Sequence, residues 1–531
     1  MKKTTLYNIC MVCVLFATAS CTDNFDETNT NPNKVTVESG TLEASAMFEQ
    51  TLYGGANVQT YYSWFWCDEL IQHTAHTGGT TRQEHRYFIG DQNWKSVWNT
   101  YAKYASNDVN MINLAEKQGD KVFQAIGLTL KVMFMQNLTD IYGDIPYKEA
   151  FRSQDGIKQP VFDSQENVYQ QMSQDLETAN AIYATDPKPN NNKKSLDRMY
   201  GLDMAKWRKF NNSLYLRLLC RISGRPSTIV DGNYTVPQKM QQIVDNPEEY
   251  PIFTSNEDNA TVKFTGIAPY TSEFDPTSYK KSDFTTGSYK LTEKMIELMV
   301  IKDANNFKND LYADPRLQII GTKKRAYWAG TIAGAAMGTE SNTGDSNAAY
   351  LNYEQLARNN ADEWFMDDAE VEFILAEAAL KGLISGGEEV ARSHYEAAVR
   401  ASMLKWSDFA VTLNPDYLIT SDDIDAFLTT QLGSWDMAEN KAELIANQKY
   451  LALFWVGMED WYEYRRTGFP KLKIGSGCVY NDMILPTRFA YPSTTVATNY
   501  DHVQEALHRM GGENDMKTPV WWSKQAIEEG K

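Results

Sequence analysis

The sequence predicts a mainly α fold with a scaffold of paired helices, one loop-rich segment and few short strands. Apolar residues recur at helical spacing in several segments, so each predicted helix has one buried face. Two neighbouring alanine-rich segments are separated only by a glycine-containing stretch, which is typical of a helix hairpin. Between the helical halves, residues 251–350 are rich in Gly, Ser, Thr, Asn and aromatic residues and show few helical patterns.

Four apolar stripes mark helices along the chain. Asp163 and Glu166 have the spacing of a capping box, which predicts that the first of these helices begins there. The stripes are Val168, Met172, Leu176, Ala179 and Tyr183; Trp207, Phe210, Leu214 and Leu218; Val371, Ile374, Leu375 and Ala378; and Leu444, Gln448, Leu451 and Trp455.

Segments 365–380 and 388–405 form the predicted hairpin, with Gly382, Gly386 and Gly387 between them. Small residues let neighbouring helices approach closely, as in stacked tetratricopeptide-like hairpins. A strict repeat of about 34 residues is absent, so the prediction concerns the shape of the pairs. The small residues are Ala376, Ala379, Ala397, Ala398 and Ala401.

The loop-rich segment 251–350 is predicted to be ordered and functional. Long irregular segments inside a compact protein are usually functional or disordered, and the many aromatic residues here argue against disorder. Residues 330–338 form a glycine-containing run that is predicted to be flexible. The aromatic residues are Tyr270, Phe274, Tyr279, Phe284, Tyr289, Tyr327 and Trp328.

The N-terminus predicts export and a lipid anchor. Lys2 and Lys3 precede an apolar stretch, 6–17, that is too short for a permanent membrane span. The small residues before Cys21 fit a bacterial lipobox, in which residues 1–20 are removed and the cysteine is acylated. Each buried methylene of an acyl chain contributes about 0.8 kcal/mol, so several chains would hold the protein on a membrane. An ordinary export signal with a coincidental cysteine is the alternative.

Composition and charge fit a water-soluble body, predicted as one unit over residues 21–531. Hydrophobic residues make up 42% and charged residues 23% of the chain. The formal net charge is −18, and removal of two lysines with the signal makes it −20. The resulting negative electrostatic field disfavours binding to nucleic acids and to anionic lipid headgroups. Cys67, Cys220 and Cys478 are too few and too far apart for a disulfide framework.

Several motifs occur in a characteristic order. Segment 138–151, LTDIYGDIPYKEAF, ends an apolar helix, with Gly143 predicted as a left-handed cap and Pro146 preventing continuation. Asp314-Pro315-Arg316-Leu317, GMEDWYEYRRTG at 457–468, RFAYP at 488–492 and TPVWW at 518–522 follow it. Together these motifs resemble the SusD/RagB family of outer-membrane lipoproteins from Bacteroidota. The Asn-Pro-Asn at 31–33 and the YGDIPY turn favour the SusD-like branch.

The resemblance implies a helical fold in which tetratricopeptide-like pairs form the scaffold and the loop-rich segment forms a ligand-binding surface. It further implies a lid on a SusC-like TonB-dependent transporter, lipid anchorage at the outer membrane, a position facing the cell exterior and no cofactor. Within the GMEDWYEYRRTG motif, Arg465 and Arg466 are interpreted as ion-pair partners of Glu459 and Asp460 that lock a helix end. These residues are assigned to the scaffold.

A sugar site needs flat aromatic platforms beside fork-shaped or amide hydrogen-bonding groups. Two regions have this mixture, although each aromatic residue could instead belong to the core. Three or four stacked rings at about 1 kcal/mol each would give a dissociation constant near the millimolar range. The predicted ligand-binding residues are Trp64, Trp66, Arg82, Asn93 and Trp94 in the first region, and Tyr270, Tyr279, Tyr289, Arg325 and Trp328 in the second.

Neither a catalytic site nor a metal site is predicted from the sequence. His73, His76 and His85 lie near Glu69 and Cys67, but their spacing matches neither HExxH nor CxxC, so no metal site is predicted. The motifs GxSxG and GxxxxGK[ST] do not occur in the sequence. The chain is therefore predicted to be a binding protein and not an enzyme.

The leading functional hypothesis is a surface-exposed lipoprotein that captures an oligosaccharide and passes it to the transporter. Three alternatives remain at this point. One is a RagB-like uptake protein that binds peptides, another is a helical-toroid glycosidase or lyase, and the third is a helical scaffold whose only ligand is protein.

Overall fold

The computed structural model describes residues 42–77, 82–282, 289–339 and 347–530. The predicted signal, the predicted lipidation site Cys21, the Asn-Pro-Asn motif at 31–33 and Phe284 lie outside these residues. Helices dominate the described part of the chain, which confirms the mainly α prediction. None of its helices combines the length and apolar character needed to cross a membrane.

The helices are α1 Ser45–Tyr62, α2 Asp68–Leu70, α3 Asp91–Gln118, α4 Lys121–Tyr142, α5 Gln165–Ala184, α6 Met204–Arg221, α7 Val236–Asp245, α8 Glu293–Met299, α9 Leu317–Ile320, α10 Tyr353–Leu356, α11 Asp368–Leu380, α12 Gly387–Val411, α13 Ser421–Phe427, α14 Lys441–Ala452, α15 Glu459–Thr467, α16 Ser493–Thr498, α17 Tyr500–Met510 and α18 Lys524–Glu528. The strands are β1 Thr74–His76, β2 Ala260–Val262, β3 Tyr289–Leu291, β4 Val300–Asp303, β5 Asn306–Ala313, β6 Gly321–Thr322, β7 Tyr350–Leu351 and β8 Glu363–Met366.

Sequential helices pack as pairs, which confirms the tetratricopeptide-like scaffold. Helices α3 and α4 are joined by Gly119, at φ 70°, and Asp120. The Asp120 carboxylate accepts hydrogen bonds from the backbone N–H groups of Val122 and Phe123 at 3.1 and 3.2 Å, which caps α4. Helices α11 and α12 form the predicted alanine-rich pair, in which Ala376 and Ala398 are fully buried.

The predicted stripes lie on the buried faces of α5, α6, α11 and α14, but their boundaries need correction. Ser164, and not Asp163, caps α5, because the Ser164 hydroxyl accepts from the backbone N–H of Asn167 at 3.3 Å. Asp163 instead accepts from the backbone N–H groups of Tyr147 and Lys148. The predicted capping box is therefore wrong.

The start of the predicted helix 365–380 is also wrong. Residues 363–366 form β8, which pairs with β2, and the Asp367 carboxylate then caps α11 by accepting from the Glu370 N–H at 2.9 Å. At the end of α4, Gly143 has φ 87° as expected, but its ψ of −125° lies outside the left-handed helical region. Trp455 lies beyond α14, with φ 67°.

The described parts of the loop-rich segment contribute to a four-stranded antiparallel sheet with the strand order β1-β3-β7-β6. Tyr289 pairs with His76 across β3 and β1, and Tyr350 pairs with Lys290 and Thr322. A separate hairpin, β4–β5, precedes β6. This sheet joins parts of the chain that are far apart in sequence, so it brings the first predicted site region next to the second.

Buried ion pairs connect the helical scaffold. Arg217 of α6 donates to both carboxylate oxygens of Glu370 in α11, at 2.7 and 2.5 Å, and both side chains are 2% exposed. Arg466 of α15 donates to Glu377 of α11, also through two hydrogen bonds. Since ionised groups without partners are costly in the interior, these pairs fix how the helices meet.

The predicted ion pairs within the GMEDWYEYRRTG motif have different partners. Arg465 donates to the backbone carbonyls of Thr487 and Asp140, at 2.6 and 2.7 Å, and its guanidinium lies 3.9 Å from the centre of the Trp461 ring. Glu459 pairs with Arg221 of α6. The motif therefore belongs to the scaffold, as predicted, but it locks other helices and not only its own end.

The glycine-containing run 330–338 packs closely against its neighbours where the structure describes it. A Cβ added to Gly330 would lie 2.3 Å from the backbone of Thr292 and Glu293, and one added to Gly334 would lie 2.6 Å from the Cys478 sulfur. The glycines thus permit close backbone approach. Cys67, Cys220 and Cys478, for which no disulfide framework is predicted, are buried free thiols.

We expect Gly330→Ala to lower the free energy of unfolding by about 2 kcal/mol, because its contact atoms are backbone and cannot move aside. Gly90→Ala is the control, since a Cβ there would meet nothing within 4 Å and the φ of −112° suits alanine. Urea denaturation measures the free energy of unfolding of both variants. Equal stability of the two would contradict the close packing at Gly330.

Candidate functional site

A π-helix, Ser63–Cys67, follows α1 without a break and carries the sequence SWFWC. Wider i to i+5 turns of this kind are rare and occur often at functional sites. Trp64 and Trp66 are buried at 3% exposure, whereas Phe65 between them is half-buried. The π-helix therefore places one accessible aromatic ring between two core rings.

Trp64 is the centre of an aromatic cluster, defined here as Tyr61, Trp64, Phe65, Tyr279 and Tyr289 around Arg82. The Trp64 ring centre lies 5.0 Å from that of Tyr289 and 5.5 Å from that of Tyr279, both edge to face. Tyr61 and Phe65 lie 4.9 Å apart. Trp64 and Tyr289 are buried, and Tyr61, Phe65 and Tyr279 are half-buried. The cluster thus has a closed base and a partly open face.

Arg82 connects the two chain segments of the cluster. Its guanidinium lies 3.7 Å from the centre of the Phe65 ring, and it donates to the Phe65 carbonyl at 3.0 Å and to the Tyr289 hydroxyl. A further contact, 3.4 Å long, joins its Nε to the Glu84 carboxylate. Cation–π contact and fork-shaped hydrogen bonding therefore act together at one side chain.

The aromatic surface continues along α1. Tyr53, Asn57 and Tyr61 are four residues apart, so they lie on one face of the helix, and Tyr53 and Tyr61 are separated by roughly 12 Å at 1.5 Å per residue. Tyr270 packs on Tyr53 with a ring distance of 4.5 Å and donates to Glu49 at 2.8 Å. The helix face from Tyr53 to Phe65 therefore carries aromatic rings at both ends.

Two carboxyl groups, the half-buried Glu273 and the buried Glu363, lie beside the cluster. The Tyr279 hydroxyl donates to Glu273 at 2.6 Å, and the Glu273 backbone N–H donates to the Glu363 carboxylate at 2.6 Å. Burial raises the pKa of Glu273 to about 7 and raises the pKa of Glu363 well above its usual value. Burial and the adjacent Glu273 also raise the pKa of Tyr279.

The raised pKa of Glu273 predicts a pH dependence of stability. The folded state binds this proton more tightly than the unfolded state, so the free energy of unfolding falls as pH rises from about 4.5 through about 7. We expect Glu273→Gln, which mimics the neutral form, to equal the wild type at pH 4 and to exceed it by about 2 kcal/mol at pH 8.

Chemical denaturation at several pH values measures this difference. Glu389→Gln, at an exposed position of α12, is the control for loss of a carboxylate. A constant difference between Glu273→Gln and the wild type would show that the pKa of Glu273 is the same in the folded and unfolded states.

Four predicted residues therefore lie together in the aromatic cluster: Trp64, Arg82, Tyr279 and Tyr289. A fifth, Tyr270, packs on Tyr53 of α1. Trp66 instead packs on Phe489, with ring centres 5.9 Å apart. The other predicted residues, Asn93, Trp94, Arg325 and Trp328, lie outside the cluster.

The four predicted residues outside the cluster have different surroundings. The Asn93 side chain accepts from the Gly90 N–H at 3.1 Å and so caps α3. Trp94 is half-buried, and its carbonyl accepts from the Tyr142 hydroxyl at 2.5 Å. Arg325 is exposed and donates to Asn347 at 2.9 Å. Trp328 lines a separate cleft.

Sequence reasoning missed Tyr61, Phe65 and Tyr53. Their spacing of four and eight residues places them on one helical face, which was a usable signal. The π-helix that turns Phe65 toward Arg82 has no comparable signal in the sequence.

The histidines have separate partners. His73 Nδ1 contacts Asp68 at 2.8 Å and Nε2 contacts Asp460 at 3.1 Å, and both acids are buried. His85 Nδ1 accepts from the Gly334 N–H at 3.0 Å. Within the described residues, only Cys220, Glu377 and Glu463 approach closely enough to share a metal ion, and Arg466 already contacts both carboxylates.

A family profile described as "Starch-binding associating with outer membrane" matches residues 32–492, which is most of the chain. The chain belongs to the SusD-like family. This family is associated with the outer membrane, and the resemblance drawn from the motifs is thereby confirmed. No curated protein matches the sequence.

Solved SusD-like structures share the fold. A SusD homologue from Bacteroides fragilis has 22% identity and a TM-score of 0.74, with 91% of this chain and 99% of that chain covered. A chitin-binding SusD homologue from Flavobacterium johnsoniae has 21% identity and a TM-score of 0.70, with 90% and 98% covered. A SusD homologue from Parabacteroides distasonis has 21% identity and a TM-score of 0.73, with 91% and 98% covered.

Proposed function

We propose that this SusD-like protein binds an oligosaccharide at the aromatic cluster and passes it, uncleaved, to a SusC-like TonB-dependent transporter. The observation that carries the proposal is the partly open face formed by Tyr61, Phe65 and Tyr279 around Arg82. Aromatic faces stack on the C–H faces of sugar rings, while guanidinium and carboxylate groups bond their hydroxyls.

The shape of the surface supports an extended ligand. The buried Tyr53 lies roughly 12 Å along α1 from Tyr61, and the half-buried Tyr270 packs on it. A chain of sugar rings can therefore contact Tyr270 at one end and Tyr61 at the other, whereas a single sugar can contact only one. The description of the family as starch-binding and the chitin-binding homologue from Flavobacterium johnsoniae both support a glycan.

The proposal includes the location and the partner of the protein. Acylated Cys21 anchors the chain in the outer membrane with the binding face toward the cell exterior. The family's association with the outer membrane supports this arrangement. In this arrangement the protein closes as a lid on the transporter and confines the bound ligand. Weak stacking is then sufficient, because a confined ligand rebinds before it escapes.

A glycan array and a peptide pool, both applied to the purified full chain, test the ligand class. We expect saturable binding to oligosaccharides and none to peptides. Peptide binding alone would instead support the RagB-like alternative, and cleavage of a bound glycan would support the glycosidase or lyase alternative.

A further inference from the structure

An open cleft of about 660 Å³ lies apart from the aromatic cluster and shares no residue with it. Its walls come from the β4–β5 hairpin, the segment after β6 and the turn before α13. Tyr312, Trp328 and Tyr417 supply three aromatic rings, and Gln318 and Asn352 supply amide groups. This volume is typical of small-molecule sites.

The free polar groups of the cleft are neutral. The hydroxyls of Tyr312 and Tyr417, the indole N–H of Trp328 and the Gln318 amide make no hydrogen bond within the part of the chain that the structure describes. Trp328 is 5% exposed, so most of its ring is held in place by the surrounding protein while one side faces the cleft. Burial raises the pKa of Tyr312 to about 12, so its hydroxyl remains a donor at neutral pH.

The charged groups of the cleft, in contrast, already have partners. Asp314 forms two hydrogen bonds with the buried Arg316, at 3.0 and 2.6 Å. Lys323 pairs with Asp310 at 3.1 Å, and Asp423 accepts from the Thr420 hydroxyl at 2.6 Å. Recognition by charge is therefore weak here, whereas ring stacking and neutral hydrogen bonding are both provided.

We propose that the cleft lined by Tyr312, Trp328 and Tyr417 is a second oligosaccharide-binding site, which holds a neutral glycan independently of the aromatic cluster. This inference goes beyond the proposed function, which needs only one site. The two sites lie on one sheet, since Tyr289 of the cluster is in β3, Thr322 of the cleft is in β6, and β7 lies between these strands. At about 4.8 Å per strand, β3 and β6 are roughly 10 Å apart.

Two sites built on one sheet allow one long glycan to engage both. The second contact is then intramolecular, so its effective concentration is high and the overall affinity exceeds that of either site. The cleft thus favours polymers over short fragments.

Hydrogen–deuterium exchange of the full chain, with and without maltoheptaose or chitohexaose, tests the proposal. We expect one of these glycans to protect peptides that cover Tyr312–Trp328 and Tyr417–Asp423. The variant Tyr312→Phe/Tyr417→Phe removes only two hydroxyls, and it should weaken this protection about threefold to tenfold while protection of Tyr61–Phe65 persists. Tyr500→Ala, an exposed tyrosine on α17, is the control.

Three results would overturn the second site. They are no protection of the cleft by either glycan, cleft protection that the hydroxyl variant leaves unchanged, and cleft protection that disappears when Tyr61 and Phe65 are replaced by alanine. Protection of the cleft without protection of the aromatic cluster would support the second site and contradict the first. The two proposals therefore fail separately.

Discussion

Glu370→Ala is expected to lower the free energy of unfolding by about 3–5 kcal/mol. The substitution removes both hydrogen bonds between the Arg217 guanidinium, which is 2% exposed, and the Glu370 carboxylate. It leaves Arg217 a hydrogen bond to the Phe365 carbonyl at 2.9 Å and a 3.4 Å contact with Glu459. A buried guanidinium that loses its carboxylate partner retains the free-energy cost of leaving water. Breaking the pair therefore destabilises the protein by more than the net contribution of the intact pair. Guanidinium chloride unfolding followed by circular dichroism measures the loss.

The surface of the protein offers a matched control. Asp436 also accepts two hydrogen bonds from one arginine, Arg392, at 2.7 and 3.0 Å, but these side chains are 70% and 45% exposed. Asp436→Ala should therefore cost less than about 1 kcal/mol, since water replaces the lost partner. A similar loss for both variants would show that burial does not govern the pair between α6 and α11.

Tyr61→Ala/Phe65→Ala is expected to weaken oligosaccharide binding about 30-fold. Each ring contributes about 1 kcal/mol of stacking, so the loss of two removes about 2 kcal/mol of binding free energy. Phe65 also positions Arg82, whose guanidinium lies 3.7 Å from the ring centre. Titration calorimetry measures the change, and the melting temperature establishes that the variant is folded.

Phe88 and Tyr480 provide a matched aromatic pair outside the cluster. Their ring centres lie 4.3 Å apart, and the residues are 53% and 50% exposed. Phe88→Ala/Tyr480→Ala should leave the affinity within twofold of the wild type. If this control lost binding and the cluster variant retained it, the ligand site would lie at Phe88 and not at Phe65.

The scaffold was predictable because amphipathic helices leave a periodic record in the sequence. The stripes on α5, α6, α11 and α14 gave both the helices and their buried faces. The start of α11 was not predictable in the same way, because Trp364, Phe365 and Met366 are apolar and could continue the helical pattern, whereas their pairing with β2 depends on a segment about 100 residues earlier. Tertiary pairing there overrides a local pattern.

The site was predictable in composition but not in arrangement. The sequence indicated aromatic residues with Arg82, but the β1–β3 pairing that brings Tyr289 to Trp64 required the fold. Asn93 caps α3, a role that an amide near an aromatic residue fills as readily as ligand binding, so its place as a cap required the fold. Phe65 was overlooked because its exposure depends on the π-helix and not on its neighbours in sequence.

Capture of an oligosaccharide without cleavage distinguishes the proposed binding protein from an enzyme, and one titration with product analysis measures both properties. The full chain is titrated with maltoheptaose and with chitohexaose, and each sugar is analysed by chromatography after long incubation. We predict saturable binding of at least one, with a dissociation constant in the millimolar range or below, and recovery of that sugar at its original length. Shorter products, or no binding of either sugar while peptides bind, would contradict the account.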